Sequence, residues 1–389
     1  MKVGLVSPYD YGRPGGVGEH VRHLATELRR QGTEVKIMAP SAGGRRPAIE
    51  GLYPLGRPIP IPANGSVARI SLSFHLSRKI REILDRERFD VIHLHEPLMP
   101  ALPVTVLRIN TEGVNVGTFH AYARQNLGYY YGRPLLRRQF RKLDSCIAVS
   151  EPAKAFVSRY FPSDYTVIPN GIDPMIFNPA VPPASGIRHD HRQTILFLGR
   201  LEERKGLGTL LDAYSLLRQV RDDCQLVVVG DGPLRLGFER RVEEEGIPDV
   251  RFCGFVPEAE KPGYFTAADI YCAPNTGKES FGVILLEAMA SGLPVVATTI
   301  DGFRQVITDG EEGILTPPRD EAQMAVALAR LLDSPQLRRR LAERGCRAAE
   351  GYAWSLVADR VLAVYESALR ARSQPEVHSC VQQSAASVR

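Results

Sequence analysis

The stretch Gly277-Lys278-Glu279-Ser280-Phe281-Gly282-Val283-Ile284-Leu285-Leu286-Glu287 sets two carboxylates, Glu279 and Glu287, eight positions apart. Phe-Gly-Val lies between them, and the small, apolar Ala288, Met289 and Ala290 follow. A helix beginning near Glu279 would turn about 100° per residue, so eight residues return almost to the same face. Both carboxylates would then look at one site, with the N–H groups of the helix start pointing toward it. Oxygens for hydroxyls beside N–H donors for phosphate suit a ligand such as a nucleotide sugar.

Around this stretch the chain alternates short β-branched runs with longer amphipathic segments. The first series of runs is Lys2–Ser7, Glu34–Ala39, Asp90–His95, Asn115–Phe119, Ser145–Val149 and Tyr165–Ile168. A proline-rich connection follows, from Pro174 to about His191. The second series is Thr194–Leu198, Gln225–Val229, Val250–Phe255, Ile270–Ala273, Pro294–Ala297 and Gly313–Leu315. This rhythm predicts an α/β chain of two doubly wound, Rossmann-like parallel-sheet domains, with the ligand in the cleft at the strands' carboxyl ends. The expected division is 1–170, 171–354, a terminal helix over 355–371, and a disordered tail over 372–389.

The 389 residues are enough for two cores. No apolar run approaches the roughly 20 residues of a membrane span, and no secretory signal is read at the N-terminus. Six scattered cysteines without a C-x-x-C pair read as buried thiols in a reducing compartment. The net charge of +5 hides an asymmetry: residues 1–170 carry 24 Lys and Arg against 14 Asp and Glu, the remainder 25 against 30. The basic half is expected to meet an anionic partner. Nucleic acid is not favoured, because no binding motif accompanies the charge.

Five motifs together carry a resemblance. They are Glu279-x7-Glu287, Gly199-Arg200-Leu201-Glu202-Glu203-Arg204-Lys205-Gly206 after a strand, Pro14-Gly15-Gly16-Val17, Gly117-Thr118-Phe119-His120, and Ile168-Pro169-Asn170-Gly171-Ile172-Asp173. Their order and spacing resemble the retaining glycosyltransferases of family 4, with the GT-B fold and an active site between two domains. The resemblance implies a nucleoside-diphosphate sugar as donor and no cofactor or essential metal. Arg200 and Lys205 would neutralise the leaving phosphate, a cation pair well suited to it. Glu279 and His120 would contact the sugar, and Glu287 the ribose hydroxyls. Gly16 would let the backbone approach the diphosphate, as would the N–H groups of Phe281, Gly282 and Val283. Phe255, Val256 and Lys261 would lie near the base.

Within that family the chain most resembles the branch that mannosylates phosphatidylinositol from GDP-mannose. Val6-x-Pro8-Tyr9 and the stretch Ile59 to Arg69 carry this likeness. It implies an inositol phosphate head group held by Tyr9, Asn64, Ser66 and Arg69. Ala63, Gly18 and the segment Ala121–Asn126 depart from the branch pattern, all on the acceptor side. Leu72–Arg88 reads as an amphipathic helix whose Arg78, Lys79 and Arg81 could meet an anionic membrane. A second basic run is Arg133, Arg137, Arg138, Arg141 and Lys142. The expected address is the cytoplasmic face of the plasma membrane, as a peripheral protein. Other lipids, soluble acceptors, a polysaccharide precursor and nucleotide-sugar epimerisation are the rivals, and no oligomeric state is implied. There is no Asp-x-Asp pair for a metal, and His93 and His95 alternate onto one strand face.

Overall fold

The computed structural model describes residues 1–13, 15–41, 50–63, 66–71, 76–100, 102–123, 125–188 and 192–373, without the side chains of 61–63 and 66–68. In chain order the strands are β1 (Lys2–Val6), β2 (Glu34–Ala39), β3 (Leu52–Pro54), β4 (Ile59–Ala63), β5 (Ser66–Ile70), β6 (Val91–His95), β7 (Val114–Phe119), β8 (Ser145–Ala148) and β9 (Thr166–Val167). The second set is β10 (Gln193–Leu198), β11 (Cys224–Val229), β12 (Val250–Gly254), β13 (Ile270–Ala273), β14 (Val295–Thr298) and β15 (Gly313–Thr316).

Two parallel sheets result, ordered β3-β2-β1-β6-β7-β8-β9 and β12-β11-β10-β13-β14-β15, with β4 and β5 as a separate antiparallel ribbon. Near-continuous Val, Ile and Leu in β1, β6, β10 and β11 explain the arrangement. Strands apolar on both faces need helices on both faces. In the first sheet Val91 and Ile92 point to opposite sides. Helices Gly16–Arg30 and Trp354–Ser373 cover one side through Val21, Leu24, Val357 and Tyr365. Helices Ser77–Glu87, Leu102–Ile109, Leu127–Phe140 and Glu151–Ser158 cover the other.

The terminal helix therefore packs on the first sheet, although its sequence follows the second. Its start is fixed by the Asn170-Gly171-Ile172 junction. The Trp354 ring lies so close to Gly171 that a Cβ there would sit 2.5 Å from it. The Trp354 N–H donates to Ile172 O at 3.1 Å, and the Ile172 N–H to Tyr352 O at 2.8 Å. This helix runs to Ser373, two residues beyond the expected end at 371, so residues 372 and 373 belong to it rather than to a disordered tail. The rest of the tail, 374–389, lies outside the described residues.

Candidate functional site in the interdomain cleft

A cleft of about 820 Å³ separates the two sheets' carboxyl ends, lined by Tyr122 and Gln125 on one side and by Arg204, Gly277, Glu279 and Asp301 on the other. The Tyr122 hydroxyl donates across it to Asp301 Oδ2 at 2.5 Å.

Glu279 does not start a helix. The helix begins at Val283, with Gly282 in the capping position. Lys278, in the left-handed region at φ 61°, turns the chain ahead of Glu279. The shared helical face expected for Glu279 and Glu287 is therefore not formed, and side chains hold Glu279 instead. Its Oε1 accepts from Lys205 Nζ and Arg204 Nη1, each at 2.6 Å, and from Asn275 Nδ2 at 2.9 Å. Burial alone would raise this carboxyl, but Lys205 and Arg204 outweigh it and hold it below its ordinary range. The approach depends on Gly206. At φ 73° a Cβ there would lie 1.9 Å from the Pro274 carbonyl oxygen. Only glycine lets the Glu203–Lys205 turn settle on the Pro274–Asn275 corner.

Arg200 Nε pairs with Glu202 Oε1 at 2.9 Å, and Arg204 Nε donates to Glu202 Oε2 at 3.2 Å. Glu202 is buried, so it anchors both guanidinium groups at the cleft wall. Glu287 is buried in the following helix, and its Oε2 has no hydrogen-bond partner among the described residues. Burial pushes its carboxyl up to about 7, with Lys261 opposing. Lys261 is half-buried, which pulls its ammonium down, but Glu287 and Glu258 outweigh that and lift it above the ordinary lysine value, and it donates to Glu258 Oε1 at 2.7 Å.

The expected base contacts divide. β12 ends at Gly254, so Phe255 is not a strand residue and stands 68% exposed. The side chains of Val256 and Phe281 are buried in the core of the second domain, which leaves their backbone for a ligand. Gly282 and Val283 form the helix start described above. Gly16 opens the helix Gly16–Arg30, and nothing lies within 4 Å of where its Cβ would be.

His120 follows β7 and is fixed through its backbone. Its N–H and that of Ala121 both donate to Glu96 Oε1 at 2.7 Å. Glu96 is buried at φ 50°, and burial raises its carboxyl against the pull of those two N–H groups. His20, His93, His95 and His120 gather at this end of the sheet. His95 Nδ1 meets His120 Nε2 at 3.0 Å, His20 Nδ1 meets Asn170 Oδ1 at 2.8 Å, and His93 bonds Tyr365 and Thr118, each at 2.6 Å. Burial holds all four neutral at physiological pH, His20 at about 4 and His93 at about 3. His20, His95 and His120 offer nitrogens within 4.8 Å of one another, a set chemically able to hold a zinc-like ion.

On the acceptor side the structure brings Tyr9 and Arg69 together. Tyr9 bridges to Ile70, and the Asp10 N–H donates to Arg69 O at 2.9 Å. Ser66 pairs with Ala63 in the β4–β5 ribbon, and Asn64 lies outside the described residues. The expected helix Leu72–Arg88 is Ser77–Glu87, with 72–75 outside the described residues. Its apolar face is used by the protein itself. Ile80 and Ile83 are buried in the sheet's core. Arg78 is exposed beside Glu82 at 2.9 Å, Lys79 donates to Pro54 O at 3.2 Å, and Arg81 is exposed.

The models of "Glycosyltransferase Family 4" and "Glycosyl transferases group 1" match residues 14–175 and 183–347. The phosphatidyl-myo-inositol mannosyltransferase of Mycobacterium leprae is 40% identical over 97% of this chain and 100% of its own length. That of Propionibacterium freudenreichii subsp. shermanii is 37% identical over 94% of each. This chain is a family 4 glycosyltransferase. Among solved structures, sucrose-phosphate synthase from Thermosynechococcus elongatus has a TM-score of 0.73 at 22% identity, covering 95% of this chain and 100% of that one. HepE of Anabaena, in complex with UDP, has a TM-score of 0.75 at 18% identity, covering 94% and 100%. Both share the GT-B fold. In this glycosyltransferase, sequence reasoning missed Arg204, Glu202, Glu96 and His20. Arg204 adjoins Lys205 in one turn and was open to reading. The others meet the site only through tertiary folding.

Proposed function

We propose that this glycosyltransferase moves mannose from GDP-mannose, with retention of the α configuration, to a phosphatidylinositol-type lipid. The observation that carries the donor side is the convergence of Lys205, Arg204 and Asn275 on Glu279, with Glu287 buried behind. Arg200 and Lys205 take the diphosphate, aided by the backbone at Gly16 and at Phe281, Gly282 and Val283. Their charge offsets what develops on the leaving phosphate, in a site organised before the reaction begins. As donor arrives, Lys205 exchanges part of its contact with Glu279 for phosphate, and Glu279 turns to the sugar hydroxyls. Glu287 accepts from the ribose, with Lys261 and the backbone at Phe255 and Val256 toward the base. Neutral His120 faces the sugar, and Tyr9, Ser66, Arg69 and Asn64 hold the inositol phosphate. The leaving phosphate helps to deprotonate the acceptor hydroxyl, and no resident metal or cofactor takes part. The relatives' names support the lipid acceptor, and a lipid acceptor in turn calls for a peripheral position on the membrane, which we place on its cytoplasmic face.

A soluble inositol phosphate is the second reading. It is favoured by the "D-inositol 3-phosphate glycosyltransferase" of Arthrobacter sp., 31% identical over 92% of this chain and 91% of that protein. The deciding experiment is a mass-resolved transfer assay. GDP-mannose, UDP-glucose and UDP-N-acetylglucosamine are offered in turn, with phosphatidylinositol vesicles, diacylglycerol vesicles or free inositol phosphate. A mannosylated inositol lipid with an α linkage is expected. Transfer only to the soluble acceptor selects the second reading, and no transfer from GDP-mannose to either inositol acceptor overturns the proposal.

A further inference from the structure

We propose that the outer face of the Leu127–Phe140 helix is the surface that seats this protein on an anionic bilayer. The proposal rests on the lipid-acceptor reading above and assigns the contact to named residues.

The helix has two unlike stripes. Tyr129 is buried, and Leu136 and Phe140 pack against the same core, so this face attaches the helix to the sheet. The opposite face leaves Leu127, Tyr130, Tyr131 and Leu135 exposed at 67%, 67%, 77% and 72%. Their spacing of three, four and eight residues from Leu127 puts them along one line. Single exposed apolar residues are ordinary, but four in one stripe mark an interaction surface. Tyrosine suits a bilayer interface in particular, since its ring is apolar and its hydroxyl stays wet.

Charge selects the occupant. Residues 113–143 contain no Asp or Glu and six cations, Arg124, Arg133, Arg137, Arg138, Arg141 and Lys142. Arg137, Arg138 and Arg141 are exposed where the apolar stripe ends. An acid-free basic segment beside exposed Leu and Tyr matches an anionic lipid surface. The neighbouring Ser77–Glu87 helix is a poorer candidate. Its apolar face is buried, and Glu82, Asp85 and Glu87 interrupt its cations.

Position supplies the reason for the contact. Tyr122, Ala123 and Gln125 line the cleft, and Leu127 opens the helix two residues later. A bilayer resting on the stripe would present lipid head groups at the cleft mouth, with no need to lift the lipid into water.

The test uses the full chain and vesicles of phosphatidylcholine alone or with phosphatidylinositol added, which gives the surface a negative potential. Flotation is compared for wild type, Tyr130→Ser/Tyr131→Ser/Leu135→Gln, Arg137→Gln/Arg138→Gln/Arg141→Gln, and Arg78→Gln/Lys79→Gln/Arg81→Gln. The first two triple variants should each lose on the order of tenfold or more in binding to the anionic vesicles, and the third much less. All three variants should keep the wild-type thermal transition. In a separate Tyr131→Trp variant, emission should shift to the blue on anionic vesicles by more than wild type, whose Trp354 is its one indole, shifts on the same vesicles. Unchanged binding in both helix Leu127–Phe140 variants would overturn the proposal. So would loss confined to the Arg78 triple, or a dimer in wild type that the tyrosine variant dissolves, which would make the stripe a self-association surface. Transfer is read in parallel. Wild-type lipid transfer with undiminished transfer and binding in the variants sinks this inference and leaves the proposed function intact. Vesicle binding without any lipid transfer sinks the function instead.

Discussion

Glu287→Gln should make the protein more stable and a worse enzyme. In the wild type, burial raises this carboxyl from the ordinary 4.5 to about 7. That rise corresponds to about 3 kcal/mol against the ionised form in the folded state. The sign follows from proton linkage. A carboxyl that is raised on folding favours the folded state while it is protonated. That advantage is complete below pH 4.5 and is lost as pH climbs through about 7. Gln carries no charge but leaves a buried amide, so the expected gain at pH 8 is about 1–3 kcal/mol. At pH 5 the gain should fall below about 1 kcal/mol. Urea unfolding of both proteins at the two pH values measures it, and the difference between proteins removes effects common to both. The same variant should need more donor, because an amide accepts less well from ribose hydroxyls than a carboxylate does. An equal stability difference at pH 5 and pH 8 would refute the electrostatic reasoning. A variant that is less stable at pH 8 would show that Glu287 is satisfied by something other than its substrate.

Arg200→Ala should lower kcat/KM for donor by about a hundredfold, on the order of 3 kcal/mol, by analogy with loss of one preorganised donor. Near-normal kcat/KM would remove Arg200 from the phosphate site. Gly206→Ala should cost more than about 1 kcal/mol of stability, since the left-handed backbone alone costs that much and the new Cβ would also meet the Pro274 carbonyl oxygen at 1.9 Å. It should cost more than tenfold in turnover, because the Pro274 carbonyl would force Lys205 and Arg204 away from Glu279. Wild-type kinetics in that variant would mean the contact is dispensable. The donor kcat/KM should fall as pH drops below about 7, where Glu287 becomes protonated. His120→Asn should keep that acidic limb and Glu287→Gln should abolish it. The reverse pattern would assign the titration to the histidines, which burial holds well below that range.

Much of the fold was legible because parallel strands buried on both faces read as continuous β-branched runs. β2 and β13 match their expected ranges, and the other expected strands differ by a residue or two. The β4–β5 ribbon was not legible. Pro60 and Pro62 remove two N–H donors, so the segment does not read as a strand, though an isolated two-stranded edge tolerates them. Glu279 shows how periodicity misleads. Eight positions suit a helix, yet Lys278 turns the chain just ahead of Glu279, Gly282 caps a helix that starts only at Val283, and the cations of a distant turn do the positioning. The Ser77–Glu87 helix teaches a related lesson, since one apolar stripe reads the same whether it covers a sheet or meets a membrane. His20, His93, His95 and His120 come from three separate elements. Their convergence depends on β6 and β7 being neighbours beneath the Gly16–Arg30 helix, which no local pattern reports.

Trp354 is the chain's single tryptophan, and it stands where the Asn170-Gly171 junction meets the terminal helix. Its ring lies 5.0 Å from that of His20 and 5.4 Å, stacked, from that of His23. The protein thus carries its own label-free optical probe at the joint between its halves. Any swing of one half against the other changes the packing of one indole, and nothing else in the molecule emits at that wavelength. Because burial lowers both neighbouring imidazoles, His20 to about 4 and His23 below its ordinary value, the signal should hold constant above neutral pH. A change in emission when nucleotide is added would therefore report hinge motion rather than titration. Stopped-flow fluorescence on the unmodified protein could then time domain closure against sugar transfer.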